Sequence, residues 1–443
     1  MLNEEKNYWF YLEPYVHTAL KGNQALLYNP LNRKALEIQG KPGILNIIKQ
    51  FRKKKNALII KIKENQLQHP ENKEFINKVR EYFMGDLLEA SWFKRKPIQI
   101  FPQLRIMKEP GKNPDETFFM GSELMSYLSE ISFYLNNGDN RNGKKMKRFR
   151  FPEGSKQFLF PQCSKDKNTK LSFQQIKDGM EEISGSSLFR VNILGGNIFC
   201  YSKLRELTEY LNDWPVIKAY FFHYLDLGNQ DSVKGLKIIA EVRNKMTSQA
   251  LKEIQWVIEV FIDVPIIKEI WEKALTEIRA SGIPVKYHFI IEKDEEIDMS
   301  EEIADFYGLS EYSFLPYYNG NNIDFFEEAV FMDKEDIVEA GPTQRDIQIR
   351  SVINQNHFGK LTVLSNGNIY ANVNEPKLGK LGKNSLYDAV YKEISGGKSW
   401  KQTRTWISPC KGCVYQHLCP SPSNYEYAVG KHNLCHIHSS ATF

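Results

Sequence analysis

Cysteine is the rarest residue in this chain, with only six among 443 residues. So few thiols exclude a fold held together by a dense set of disulfide bridges. Long uncharged apolar runs are absent as well. A stretch such as WVIEVFIDVPII carries Glu and Asp, so it predicts buried strands and no membrane span. A strong excess of one charge is also missing, since 59 basic side chains face 54 acidic ones, and this balance gives no indication of a nucleic-acid partner.

The start of the sequence, MLNEEKNYWFYLEPY, lacks the basic stretch followed by an apolar stretch that marks a secretory signal. We therefore expect a cytoplasmic protein, in which thiols stay reduced. The cysteines that do occur are then better interpreted as metal ligands than as halves of disulfide bridges. A chain of 443 residues is too long for one ordinary core, so two or three domains are expected.

Residues 1–92 form the first predicted domain. TALKGNQALLYNPLNRKALEI predicts short strands, with turns at Gly22-Asn23 and Asn29-Pro30. PGILNIIKQFRKK and ENKEFINKVREYFMGDLLEA each carry an apolar stripe at helical spacing, and the alternating ALIIKIKEN between them predicts a strand. Small strands mixed with helices in this order indicate an α+β or winged-helix module.

Residues 93–125, rich in Pro and charge, are interpreted as a linker. From 126 to 345 the pattern changes to alternating strands and helices. The six strand candidates are ISFYLN, LFRVNILGG, IKAYFFHYLDL, IQWVIEVFID, VKYHFIIE and YSFLPYY. Among the helices, LSFQQIKDGMEEI opens on a capping box of Ser172 and Gln175, and PIIKEIWEKALTEIRASG closes on Gly282. This pattern predicts a parallel α/β domain, and six strands are also the number of a partial (β/α)6 barrel.

The last region, 346–443, has little room for a core of its own and contains four of the six cysteines. They follow the pattern Cys410-x2-Cys413-x5-Cys419, with Cys435 further on. Two thiolates two residues apart can grip one metal or cluster from a tight turn, and the others complete the set. Chemistry alone leaves zinc and an iron–sulfur cluster both open. The alternative ligands nearby in sequence are His417, His436 and His438.

The tail resembles the SPASM domain of peptide-modifying radical SAM enzymes, in which cysteines hold two auxiliary 4Fe-4S clusters. The family has Gly-x4-Cys before the cysteine run, but here Gly367 is followed five residues on by Asn372. The family also has a cysteine four residues after the one matched by Cys419, where this chain has Ser423. These missing positions belong to the family's first auxiliary cluster. Cys410, Cys413, Cys419 and Cys435 match the ligands of the second, so the resemblance implies one 4Fe-4S cluster.

The middle domain resembles the radical SAM barrel, in which Cys-x3-Cys-x2-Cys after the first strand binds the cluster that cleaves SAM. In this chain only Cys163 follows the first strand, and one thiolate cannot hold such a cluster. The second strand ends in Gly195, Gly196 and Asn197, which is similar to the family's Gly-Gly-Glu that receives the amino group of SAM. Asn197 lacks the carboxylate. The resemblance is therefore to a pseudo-radical-SAM/SPASM protein, with no catalytic residues assigned and no SAM cleavage expected.

The first domain resembles the peptide-recognition domain of systems that modify ribosomally made peptides. In that family a precursor's leader adds as a strand beside the third strand and packs against the last helix. Here the matching strand is RKALEI, with Leu36, and the helix carries Phe75, Val79 and Phe83. The alternative interpretation of the first domain is a winged-helix or accessory domain that binds no peptide.

Three functions remain open from the sequence. The first is a non-catalytic partner in peptide maturation that binds the precursor peptide, an intact radical SAM/SPASM enzyme, or both. The second is an enzyme that uses the remaining cluster for electron transfer or the barrel mouth for another peptide modification, with His223 and Asp226 as candidate acid–base residues. The third is a zinc-stabilised binding protein. Cys200 is interpreted as a buried thiol and the basic run from Lys144 to Arg150 as a solvated loop.

Overall fold

The computed structural model describes residues 6–93, 95–99, 124–137, 157–159 and 169–437 of the chain. The described strands are β1 (Asn7–Leu12), β2 (His17–Lys21), β3 (Gln24–Asn29), β4 (Lys34–Gln39), β5 (Ile59–Lys63), β6 (Gly85–Glu89), β7 (Glu130–Tyr134), β8 (Arg190–Leu194), β9 (Ile217–His223), β10 (Trp256–Asp263), β11 (Val285–Ile291), β12 (Tyr312–Pro316), β13 (Lys360–Val363), β14 (Asn368–Tyr370) and β15 (Gly379–Lys380). The described helices are α1 (Pro42–Phe51), α2 (Glu64–Leu67), α3 (Pro70–Glu81), α4 (Phe173–Glu182), α5 (Leu204–Asn212), α6 (Gln230–Asn244), α7 (Gln249–Gln255), α8 (Lys268–Ser281), α9 (Glu295–Tyr307), α10 (Ile323–Val330), α11 (Lys334–Glu339), α12 (Gln344–Val352), α13 (Leu386–Gly396) and α14 (Asn424–Val429). The fold is therefore mixed α/β.

The largest sheet has the strand order β12-β11-β10-β9-β8-β7-β13-β14-β15. From β7 to β12, successive strands of the chain are parallel neighbours in the sheet. The six predicted strands are thereby confirmed. Because the strands are parallel, their carboxyl ends meet at one edge of the sheet. β13 joins β7 in parallel, and β14 and β15 extend this side in antiparallel pairs.

Alternation along each strand gives this sheet two faces with different surroundings. On β8, Val191 and Ile193 belong to the main hydrophobic core, which the crossover helices cover. Leu194 instead packs on the opposite face with Phe221 and Phe261. The two predicted helix ends are also confirmed. Ser172 and Gln175 form the capping box at the start of α4, and Gly282 ends α8 with a φ of 63°.

The first region contains two three-stranded sheets, β5-β1-β6 and β2-β3-β4. Their shared core includes three aromatic rings, with the Phe10 centroid 5.0 Å from that of Phe51 and 6.0 Å from that of Phe75. The predicted strand in ALIIKIKEN is confirmed as β5. The predicted turns between β2, β3 and β4 are confirmed too.

The second helix of this region is shorter than predicted. The spacing predicts a helix that continues through MGDLLEA, but α3 ends at Glu81 and the chain forms β6 from Gly85. Phe83 adopts a left-handed backbone with a φ of 52°, which turns the chain out of the helix. Gly85 then lies so close to β1 that a Cβ there would fall 2.0 Å from the carbonyl oxygen of Tyr11. Pairing with β1 therefore overrides the helical pattern.

The sheet β2-β3-β4 is covered on both faces. One face packs on the core of the first region, while Leu26 and Tyr28 of β3 pack against Tyr415 and Leu418 near the C-terminus. At the edge strand β4, the carboxylate of Glu37 accepts hydrogen bonds from Lys334 Nζ at 2.7 Å and from the Tyr415 hydroxyl at 3.3 Å. The first region is thereby joined to the cysteine-bearing segment.

The helices were also compared with the length and apolar character that a membrane crossing requires. In the part of the chain that the structure describes, no helix meets both requirements.

Candidate metal centre

The four tail cysteines come together around one cavity. Cys410, Cys413, Cys419 and Cys435 all line a space of about 270 Å³. All four are free thiols, so no disulfide competes for them. The residues that complete the walls include Arg404, Gln416, Ser421, Tyr425, Glu426 and Leu434. His417 and His436, the alternative ligands from the sequence, are not among the described lining residues, and His438 lies outside the described residues.

A run of tight turns presents the first three thiols. The backbone N–H of Cys413 donates to the carbonyl of Cys410 at 2.9 Å, which closes the turn between them. The N–H of Tyr415 then donates to the Cys413 sulfur at 3.4 Å. The N–H of Cys419 donates to the carbonyl of Tyr415 at 3.0 Å, so a second turn brings this thiol back to the same side. These turns form within one short segment because the three cysteines lie close together in the sequence.

Cys435 reaches the cavity through a long-range contact. It forms an isolated parallel bridge with Met332, in which the Met332 N–H donates to the carbonyl of Leu434 at 3.2 Å. The N–H of His436 donates in turn to the carbonyl of Met332 at 3.1 Å. Spacing within the tail does not determine this placement, because the partner lies about a hundred residues earlier in the chain.

A buried ion pair holds the wall beside Cys410. The guanidinium of Arg404 donates to Glu426 at 2.8 Å and to the carbonyl of Pro420 at 2.6 Å. It also approaches the Cys410 sulfur at 3.7 Å. The two charged side chains are only 9% and 7% exposed, so neither can exchange its partner for water. The pair stabilises this site only while both members are present.

Burial favours the neutral form of Cys410, Cys413 and Cys419. Burial raises the pKa of Cys413 to about 11 and that of Cys419 to about 12, and the neighbouring thiols act in the same direction. The pKa of Cys410 is also raised by burial, which the nearby Arg404 only partly offsets. A bound metal would supply the positive charge that thiolates need, and its binding would release protons.

The fit to a metal group rests on ligand type, ligand number and the shared cavity. Within residues 6–93, 95–99, 124–137, 157–159 and 169–437, no group of three or more His, Cys, Asp or Glu is arranged to hold a single metal ion as it stands. Four cysteines around one cavity are nevertheless the donor set of either a four-thiolate zinc site or a 4Fe-4S cluster. The four thiols line one cavity in the described residues, but they are not arranged as a ready-made site for a single metal ion.

The positions that lack cysteine form a hydrogen-bonded network. Asn372 is buried and its amide donates to Asn424 at 2.8 Å, while its nitrogen lies 3.2 Å from His357 Nε2. Ser423 caps α14, and its hydroxyl donates to Glu426 at 2.6 Å. Polar side chains thus satisfy one another where the SPASM pattern has ligands of the first cluster.

The Gly-Gly-Asn sequence after β8 is occupied by internal contacts. A Cβ on Gly195 would fall 3.0 Å from Asn136 Oδ1, so the two loops pack closely. The N–H of Gly196 donates to the Asn136 carbonyl at 2.9 Å, and the Asn136 amide donates to the carbonyl of Asn197 at 2.8 Å. The side-chain oxygen of Asn197 accepts from the N–H of Phe199 at 2.9 Å. Asn197 therefore caps the turn that follows it.

His223 and Asp226, the candidate acid–base residues, lie together at the end of β9. The ring nitrogen Nδ1 of His223 accepts from the N–H of Leu225 at 3.2 Å, and Asp226 accepts from the N–H of His223 at 3.1 Å. The other ring nitrogen of His223 lies 3.4 Å from Asp263, at the end of β10. Sequence reasoning missed Asp263, although its place as the last residue of a predicted strand was a usable signal.

Some other predicted features of residues 126–345 are not described by the structure. Cys163 and the basic run 144–150 lie outside the described residues. Of the stretch between β7 and α4, residues 157–159 are among those described: Phe158 stacks at 6.2 Å on Phe261, and Gln157 donates to the carbonyl of Tyr318 at 2.6 Å. Cys200 is half-buried beside α6.

The four predicted peptide-binding residues share one unit of the structure but differ in exposure. Leu36, Phe75 and Val79 are buried in the core of the first region. Phe83 is 72% exposed on the turn after α3. Strand β4, which carries Leu36, is an edge of its sheet among the described strands. Of the four residues, Phe83 alone is exposed, while Leu36, Phe75 and Val79 pack inside the core.

Comparison with known proteins gives matches among solved structures. No family model matches the chain, and no curated protein matches it either. It resembles Streptococcus suis SuiB bound to the precursor peptide SuiA, with 12% identity, coverage of 93% of this chain and 94% of that chain, and a TM-score of 0.46. It resembles SuiB bound to S-adenosylmethionine with 13% identity, coverage of 92% and 94%, and a TM-score of 0.44. A third match is native anSMEcpe with bound AdoMet and Cp18Cys peptide, with 10% identity, coverage of 68% and 94%, and a TM-score of 0.41. At these identities and TM-scores the likeness assigns no function.

We expect Arg404→Leu to destabilise the tail strongly, because it leaves Glu426 charged and buried without its partner. Breaking such a pair costs about 3–5 kcal/mol. The matched control is Lys431→Leu, which removes an exposed pair with Glu327 at 2.6 Å and should cost less than about 1 kcal/mol. The measurement is the thermal unfolding midpoint of the full chain. Equal shifts for the two variants would contradict a structural role for the buried pair.

Proposed function

We propose that this chain is a non-catalytic, radical-SAM-like accessory protein in the maturation of a ribosomally made peptide. It binds a precursor peptide, an intact radical SAM/SPASM enzyme, or both. The observation that carries the proposal is selective retention. Cys410, Cys413, Cys419 and Cys435 line a common cavity, while Asn372 and Ser423 stand where the SPASM pattern has two further cysteines.

The proposed layout has three parts. Residues 1–92 are a winged-helix-like peptide-recognition domain, which is supported by their separate hydrophobic core. After a linker at 93–125, residues 126–345 are a degenerate radical-SAM-like partial (β/α)6 barrel, supported by the six parallel strands β7–β12. Residues 346–443 are a SPASM-like domain with one cluster site.

Cys410, Cys413, Cys419 and Cys435 are the proposed ligands of one 4Fe-4S cluster. Four cysteine thiols around one cavity are the ligand type and number that such a cluster takes, which supports this proposal. When bound, such a cluster supplies electron transfer or structural cross-linking. The protein's own part is to provide the ligands, to exclude water from three buried or nearly buried thiols, and to place Arg404 beside Cys410. Zinc is the alternative metal.

Anaerobic reconstitution tests the metal assignment. The protein should take up about four irons per chain and show a broad thiolate-to-iron absorption. Cys413→Ala should abolish both signals, because it removes one ligand. Cys200→Ala is the matched control and should leave them unchanged, since Cys200 does not line the cavity. Tightly bound zinc with no iron uptake, in protein purified without oxygen, would overturn the assignment.

The proposal also requires that the barrel does not cleave SAM reductively. Asn197 has no carboxylate, and its amide oxygen already accepts a hydrogen bond from Phe199. Incubation of the reconstituted protein with SAM and dithionite should therefore give no 5′-deoxyadenosine above a control without protein. An intact radical SAM enzyme assayed in parallel shows that the assay works. Clear production that is lost when iron is chelated would refute the pseudoenzyme assignment.

Peptide binding is proposed at the edge strand β4. Unpaired backbone groups along such an edge can pair with an added strand, which gives affinity without chemistry. The exposed ring of Phe83 offers an apolar contact near the end of α3. The opposite face of the same sheet packs on the C-terminal segment, so the full chain is the proper form for binding experiments.

Titration of the full chain with the leader of a precursor peptide encoded beside it tests this site. Leu36→Pro should weaken binding, because proline removes a donor or distorts the extended edge. Since Leu36 is buried, Phe83→Asn provides a second variant, which removes the ring and suits the left-handed backbone. Trp92→Asn is its matched control, because Trp92 is similarly exposed, at 70%. Absence of leader binding by folded protein at high micromolar concentration would leave β4 with a packing role only.

A further inference from the structure

Three polar side chains form a hydrogen-bonded line across the strands β10, β11 and β12. The Oγ of Ser313 lies 2.8 Å from Nδ1 of His288. The Nε2 of the same ring lies 2.5 Å from the carboxylate of Glu259. A hydroxyl, an imidazole and a carboxylate are thus joined by two consecutive hydrogen bonds, which is the arrangement that activates a serine in hydrolytic enzymes.

The parallel register explains why these residues meet. His288 is aligned with Ser313 on one side and with Phe261 on the other. Glu259 lies two residues before Phe261, so it points to the same face of the sheet. β12 is the last strand of the sheet among the described elements, and Ser313 on it is exposed. The line therefore runs from a buried acid to a serine that solvent can reach.

Charge and hydrogen bonding fix the proton positions in this line. The second carboxylate oxygen of Glu259 accepts from Arg190 at 2.7 Å. Burial by itself raises the pKa of Glu259, but the hydrogen bonds and charges of His288 and Arg190 outweigh it and leave that pKa below its ordinary value. An ionised carboxylate can only accept, so Nε2 is the nitrogen of His288 that donates to Glu259. Its Nδ1 then presents a lone pair to the hydroxyl of Ser313.

Packing against a neighbouring aromatic ring also restrains the imidazole of His288. The ring of Phe261 lies 5.1 Å from that of His288, with an angle of 35° between them. The side chain of Glu259 is 6% exposed and that of His288 is 18% exposed, so water competes little for their hydrogen bond. A base that is oriented before a substrate arrives saves the cost of ordering it during the reaction.

We propose that Ser313 and His288 form an acyl-transfer site for carboxylic esters, with Glu259 and Arg190 as positioning residues. Ser313 Oγ attacks the ester carbonyl while Nδ1 of His288 takes the hydroxyl proton. The C–O bond to the alcohol breaks, and the alcohol leaves with that proton. Water then attacks the acyl-serine, and its hydrolysis restores the serine and releases the acid. No oxidant, reductant or metal is needed.

This activity is separate from the peptide-maturation role. None of the tail cysteines and none of the residues at the carboxyl ends of β8 and β9 takes part in it. Loss of the cluster through Cys413→Ala should therefore leave the serine chemistry in place, and loss of the serine should leave iron uptake in place. The two proposals can fail independently.

The test is covalent labelling of the full chain with a fluorophosphonate probe, with the modified residue identified by peptide mass spectrometry. Ser313 is expected to be the labelled site, and Ser313→Ala should abolish the label. His288→Gln should slow labelling on the order of 100-fold, the usual contribution of a general base. Ser310→Ala, which changes an exposed serine three residues earlier, is the matched control and should label normally.

Hydrolysis of p-nitrophenyl acetate gives a second readout. The full chain should release p-nitrophenol in a burst followed by a slower steady phase, and Ser313→Ala should remove the burst. Glu259→Gln should lower the rate without removing the label on Ser313, because it disturbs the base and keeps the nucleophile. Failure to label Ser313 in folded protein, or equal labelling of Ser313→Ala, would overturn the proposal.

Discussion

The C-terminal region depends on the buried hydrogen bonds and ion pair that the guanidinium of Arg404 makes. This guanidinium joins Glu426, the carbonyl of Pro420 and the sulfur of Cys410, which otherwise belong to separate turns. Glu426 in turn accepts from Ser423, so the same carboxylate ties the start of α14 to the cavity wall. A region with little core of its own thereby gains a fixed frame. The same ion pair makes the region sensitive to mutation, because loss of either member leaves the other charge buried and unpaired.

That frame is coupled to the first region through the sheet β2-β3-β4. Tyr415, two residues after Cys413, donates to Glu37 on the edge strand β4 and packs against β3. The strand proposed to take a leader peptide is therefore in direct contact with the segment proposed to hold the cluster. The 3.3 Å hydrogen bond from Tyr415 to Glu37 is one of the contacts that join them.

The parts of the structure that follow from local patterns were predictable from the sequence. Six parallel strands, the cap at Ser172 and the end of α8 at Gly282 all depend on residues close together in the chain. The end of α3 was predicted wrongly because the pairing of β6 with β1 is a long-range contact. The hydrogen-bonded series of Glu259, His288 and Ser313 was not predicted for the same reason. Each of its residues is ordinary within its own strand, and only the register between strands brings them together.

The candidate site shows the same division. The turns that present Cys410, Cys413 and Cys419 follow from their spacing, whereas Cys435 depends on a bridge to Met332 that no local pattern encodes. The cysteine-free positions need a different explanation, because buried polar residues in place of ligands are costly unless they are paired. Asn372 meets this condition through its contacts with Asn424 and His357.

Hydrogen bonds between side chains thus hold the backbone around Asn372. Among the described residues, the sulfurs of the four cysteines have only long contacts of their own, at 3.7 Å from Arg404 to Cys410 and 3.6 Å from Asn433 to Cys435, besides the backbone contact to Cys413. The hydrogen bonds around their cavity join Arg404, Ser423 and Glu426 to one another. Burial also disfavours the charged form of Cys410, Cys413 and Cys419. The two parts of the tail therefore differ in how their polar groups are satisfied. Asn372 is paired with other side chains, whereas the sulfurs of the four cysteines line a common cavity with few close partners.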